Sequence, residues 1–235
     1  MPDTYILLIL FSFIVIVATI AILRDIFFVK KESYRRIHTV ENVNGKRIVE
    51  CMLQYYQIDP VSIRSGDYIL QRYYYSPRRR EIVMSSHACY GSGIYEILRA
   101  ANLSSHVVQQ ERAYKSIDIY LWLAPFYEIW VRIVPLFYIL FLFLAAIFTY
   151  DYLYVLLALY AVTVLIAVFM LPIELNASDI SCQWLEEHCL VAETDREQLR
   201  EVSRYVSKYN LVCALTSLFA AMNRRKFVYH SDVSV

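Results

Sequence analysis

Two polar side chains stand out from the apolar bulk of this sequence because topology brings them together, the imidazole of His106 and the carboxylate of Glu174. Between them lie two apolar runs, Ile133 to Phe148 and Leu153 to Leu171, joined by Thr149, Tyr150, Asp151 and Tyr152. The runs read as a tight helical hairpin in a bilayer. A hairpin begins and ends on the same side, so His106 before it and Glu174 just after Pro172 are expected on one membrane face. Taken alone, His106 reads as an ordinary partly buried histidine; the topology is what pairs it with Glu174.

The elements that must position this pair follow from composition. Hydrophobic residues make up 58% of the 235, and mean hydropathy is +0.40, more apolar than a water-soluble domain of this length requires. Lipid has to cover the excess. Charged residues still reach 19% and cluster between the apolar runs. The expected fold is therefore an α-helical integral membrane protein with a small α+β cytoplasmic lobe, forming a single membrane-embedded domain over 1–235. A net charge of +1 leaves no basic field for nucleic acid. Five cysteines, without a CxxC pair, imply no disulfide framework and point to a reducing compartment.

Residues 5–23 form an unbroken apolar run followed by Arg24, Lys30, Lys31, Arg35 and Arg36. A signal peptide carries its positive charge in front, so this run is expected to stay as an anchor with the following segment in the cytoplasm. Residues 30–116 then form the cytoplasmic lobe. The loop at 149–152 has no Lys or Arg and is expected outside, which makes residues 133–171 a membrane hairpin with both far ends inward. The expected location is a cell (inner) membrane, multi-pass. Residues 172–235 read as cytoplasmic or interfacial helices. Thr194 with Glu197 has capping-box spacing, Leu199, Val202 and Val206 share one face, and the apolar stretch from Leu211 to Met222 is half a span. In the lobe, Lys46 to Gln57 predicts a helix. Tyr68 to Tyr75 and Glu81 to Ser85 predict two strands around a turn of Ser76, Pro77 and three arginines, and Ile94 to Arg112 predicts a long helix.

The order of anchor, strand hairpin, helix and membrane hairpin resembles the bacterial membrane-embedded neutral zinc metallopeptidase family. The residues that carry the likeness are Tyr75 to Arg78, Ala100 to Gln109, and the run Leu171, Pro172, Ile173, Glu174, Leu175, Asn176, Ala177, Ser178. The resemblance implies a zincin-like helix bearing His-Glu-x-x-His. In that motif two histidines at i and i+4 bind zinc, the glutamate is the general base, and a later glutamate completes the ligands. This chain departs from the pattern. Asn102 stands at the first histidine and Leu103 at the base, whereas His106 and Glu174 keep the second and third ligand positions and Gln109 the terminal glutamine. An amide oxygen is a poor zinc donor, and losing a general base usually costs about 10² to 10⁴ in rate. The resemblance so read implies a catalytically inactive relative with His106 and Glu174 as vestigial metal ligands and no catalytic residue. Such a chain would serve as a binding, scaffold or regulatory subunit beside the lipid bilayer and a membrane-protein partner or paralogue. Two alternatives stay open: an active zinc peptidase with a rebuilt site, for which His87, Cys89 and His188 offer donors, and a purely structural subunit of a membrane complex.

Overall fold

The computed structural model describes residues 43–66, 73–147, 151–188 and 196–220. The expected anchor, the basic cluster behind it, Thr149, Tyr150 and Thr194 lie outside the described residues. The chain is mostly helical with one small sheet and divides into two compact units.

The unit that holds the lobe comprises Lys31–Ile129 and Val168–Asn210. Its first helix, α1 (Gly45–Tyr55), is started by Asn44, whose side-chain oxygen accepts the Arg47 backbone N–H at 2.9 Å. It buries Ile48, Val49, Met52 and Leu53. Gly45 has no room for a side chain, because a Cβ there would lie 2.0 Å from the Ala88 carbonyl oxygen and 3.2 Å from the Ala100 Cβ. The close approach of α1 to the two following helices depends on that glycine. These are α2 (Ser86–Tyr90), capped by the Ser85 hydroxyl, and α3 (Ile94–Glu111).

The sheet is built from β1 (Ser62–Ser65), β2 (Tyr74–Ser76) and β3 (Glu81–Met84), in the order β1-β3-β2. β2 and β3 form the expected antiparallel hairpin with Tyr75 opposite Ile82. Its turn is a 3₁₀ segment, Pro77–Arg79, closed by Arg80 at φ 45°. Residues 67–72 lie outside the described residues, so the early part of the expected first strand is not described. β1 is additional to the sequence reading and pairs parallel with β3. Its residues Ser62 to Ser65 have no apolar alternation, and none of the four is fully buried.

The long helices α4 (Ile117–Ile147) and α5 (Asp151–Glu187) extend well past the apolar runs that announced them. Pro172 does not end α5; the helix continues through it to Glu187. A proline there removes one backbone N–H from the helix, which nonetheless continues on both sides of it. The helix α6 (Arg196–Ala220) buries Leu199, Val202 and Val206 as their spacing predicts.

The second unit comprises Met1–Lys30, Trp130–Ala167 and Leu211–Val235. Val134, Tyr138, Leu156 and Tyr160 form its core against Trp130, Phe141, Leu159 and Val164. The Trp130 indole N–H donates to Thr163 Oγ1 at 2.9 Å. Large apolar side chains such as Ile139, Leu140, Phe143 and Leu165 face outward. Among the described residues α5 alone is long and apolar enough to cross a membrane, with mean hydropathy 2.6 over its best stretch; α4 qualifies if its segments Ile117–Val131 and Ile133–Ala145 are taken together.

Candidate functional site

His106 and Glu174 meet in the lobe unit, with His106 Nε2 3.7 Å from Glu174 Oε2 and both side chains buried. The pairing expected from topology and motif is present in the fold. The setting is unusual for a helix, since α3 is buried throughout from Asn102 to Val108 and on to Gln109, including five polar side chains. Buried polar groups are costly unless bonded, so the partners of each one define the site.

The serines are the simplest. Ser104 and Ser105 donate back to the Ala100 and Ala101 carbonyls at 3.0 Å, and Ser105 also meets Ser181 of α5 at 2.9 Å. Gln109 does more. Its amide nitrogen donates to the Ile173 carbonyl at 2.9 Å and to Asn176 Oδ1 at 2.8 Å. A backbone carbonyl can only accept, so the orientation of this amide is fixed. Its oxygen therefore faces His106 Nδ1, 2.9 Å away, and that ring nitrogen must carry a proton.

The other ring nitrogen, Nε2, lies 3.0 Å from the Tyr120 hydroxyl of α4. The same hydroxyl is 2.6 Å from Glu174 Oε1, and Asn102 Nδ2 donates to Glu174 Oε2 at 3.0 Å. Tyr120 has one proton for two partners. If it donates to Glu174, Nε2 donates to the tyrosine oxygen; if it donates to Nε2, the carboxyl itself carries a proton toward that oxygen. Either arrangement contains the same number of protons and no net charge over the three groups, which is how two ionisable side chains come to be buried together.

The electrostatics agree. Burial pushes the Glu174 carboxyl up, but the bond and charge of His106 and the bonds from Tyr120 and Asn102 outweigh it and hold it below its ordinary range. Burial, followed by the charge and bond of Glu174, raises the Tyr120 hydroxyl well above its usual value. Tyr120 thus stays a hydroxyl. Leu103, buried beside Asn102, adds no titratable group to the site.

These residues do not fit a zinc ion. Zinc takes four donors at about 2 Å, with imidazole, thiolate and carboxylate supplying the protein's share. Here there are two such donors, one imidazole and one carboxylate, and Tyr120 bonds Nε2 and Oε1 while Asn102 bonds Oε2. Asn102 Oδ1 is buried without a hydrogen-bond partner among the described residues, yet an amide oxygen is a weak zinc donor. Among the described residues no three His, Cys, Asp or Glu side chains gather as a metal-binding group. The substitute donors are engaged elsewhere. His87 pairs with Glu96 at 3.0 Å, and His188 stacks on Trp184 with its Nδ1 2.8 Å from the Trp184 carbonyl. Cys89 is buried in α2.

Sequence reasoning placed His106, Glu174, Asn102, Leu103 and Gln109 but missed Tyr120. Tyrosine occurs 21 times in the chain, and nothing in its spacing singles out the one at 120. A profile of the family described as "Putative neutral zinc metallopeptidase" matches residues 4–224. No curated protein and no solved structure matches the chain.

Proposed function

Because the chain belongs to this family of neutral zinc metallopeptidases, we propose that it is a member retaining the scaffold without the peptidase chemistry, acting in the membrane as a binding, scaffold or regulatory subunit. The observation that carries this reading is the closed bonding of His106 and Glu174 by Tyr120 and Asn102. A metalloprotease needs an open metal position and a base beside it. In this chain His106 Nε2 and the Glu174 oxygens are bonded to Tyr120 and Asn102, and Leu103 has no proton to move.

The membrane setting rests on the apolar length of α5 and on the large apolar side chains that face outward along Trp130–Ala167. The basic residues from Arg24 to Arg36 favour a cytoplasmic lobe under the positive-inside rule. What the lobe binds is then a membrane-protein segment or a catalytically competent paralogue, held without being cut.

The test is metal content together with hydrolysis. The full chain, purified in detergent and dialysed, is expected to hold far less than one zinc per chain and to cleave an unfolded protein substrate no faster than its Glu174→Ala variant. About one zinc per chain, lost in His106→Ala and accompanied by hydrolysis, would overturn the reading.

A further inference from the structure

We infer that the Tyr120 hydroxyl occupies the place a metal ion would take in this site, so that a protonated oxygen now cross-links α3, α4 and α5. The inference deepens the reading of the site as a zinc centre that has lost its metal, and it rests on that reading.

Three observations carry it. First, two donors on one tetrahedral ion with ~2 Å bonds lie about 3.3 Å apart. His106 Nε2 and Glu174 Oε2 are 3.7 Å apart, close to that spacing, although no ion is needed to explain it. Second, the tyrosine oxygen sits against both residues, 3.0 Å from Nε2 and 2.6 Å from Oε1. An ion bonded to Nε2 and Oε1 would compete with the hydroxyl for the same two atoms. Third, the ligand positions on α3 and α5 are filled in the complementary sense: Asn102, at the position of the missing histidine, presents its N–H to the carboxylate instead of a lone pair. A cation binds lone pairs, and a proton-bearing network presents N–H and O–H groups to the same atoms. Tyr120 and Asn102 together supply the donors that suit a site without a cation.

It follows that changing Asn102 alone cannot restore a metal site, because the hydroxyl still stands in it. Three detergent-purified full-length variants, Asn102→His, Tyr120→Phe and Asn102→His/Tyr120→Phe, are to be titrated with zinc, and with cobalt(II), whose visible absorption reports tetrahedral coordination. Asn102→His is expected to hold as little zinc as the parent. Asn102→His/Tyr120→Phe is expected to bind zinc at least about tenfold more tightly, to show the cobalt spectrum, and to melt at a higher temperature when zinc is added. Equal zinc binding by Asn102→His with and without Tyr120→Phe, both folded by gel filtration and circular dichroism, would overturn the inference. Should the double variant fail to fold, the melting temperatures of Tyr120→Phe, Glu174→Gln and their combination decide the matter. A cross-link requires the two losses to be strongly non-additive, and simple addition would refute it. Zinc content of the parent tests the reading of the family site, whereas the difference between variants with and without the hydroxyl tests this inference, so the two can fail separately.

Discussion

Gln109 governs His106 from one turn away. Its amide is pinned by the Ile173 carbonyl, and that fixes which imidazole nitrogen carries a proton. Replacing it with methionine keeps the volume but leaves the His106 Nδ1–H and the Asn176 side chain without this partner. Gln109→Met should destabilise by about 1–3 kcal/mol, read from denaturant or thermal unfolding in detergent, with helix content unchanged. A second expectation concerns acid. Glu174 has a native pKa below its ordinary 4.5, so the unfolded chain binds the proton more readily than the folded one. Its contribution is complete above the ordinary glutamate range and fades as pH falls through the depressed native value. Glu174→Gln should therefore be less stable than the parent at neutral pH, yet lose less stability as pH falls below the ordinary glutamate range. At this scale His106 and Glu174 were legible from sequence, because a hairpin returns to the side from which it left. Tyr120 was not, since a hydroxyl that bridges two distant residues leaves no trace in local spacing.

Helix α5 shows what a short motif does when every residue is placed. The Ile173 carbonyl and Asn176 receive Gln109, Glu174 meets α3 and α4, and Ala177 is fully buried. One turn further on, Ser178 bonds Ser203 of α6, and Ser181 bonds Ser105 of α3. The small side chains at 177, 178 and 181 are all buried, with Ser178 and Ser181 bonded to neighbouring helices. Ala177→Leu should force them apart and cost about 1–3 kcal/mol in unfolding measurements. Gly45→Ala is expected to act similarly at the contact of α1 with α2, because a backbone carbonyl must move to admit the new methyl. The helix α6 was readable from the shared face of Leu199, Val202 and Val206, and α1 and α3 as runs that follow glycines. β1 was not, as its pairing with β3 comes from backbone bonds and its side chains carry no pattern. The continuation of α5 through Pro172 was hidden for a different reason: proline lowers helix propensity locally, and packing along the rest of the helix overrides it.

At the scale of the whole chain, hydropathy and the placement of basic residues were the readable signals, and both bear on orientation. A tag placed after Arg36 is expected to be cytoplasmic, and a cysteine introduced at Asp151 should react with an impermeant reagent from outside. Labelling of position 151 only after the membrane is permeabilised would reverse the orientation. The pairing of His106 with Glu174 would be untouched by that result, since it depends on contacts within one unit.

The bonding around Glu174 also bears on how such a site changes over generations. Asn102, Tyr120 and Gln109 each satisfy a buried partner, so a single step toward a metal site breaks a bond before any ion can compensate for it. Asn102→His removes the N–H that holds the carboxylate, and Tyr120→Phe leaves two polar groups facing each other. Either change alone is expected to lower stability. On the reading proposed above, the closed network acts as a ratchet: once the proton-bearing arrangement is complete, drift can more easily refine it than undo it.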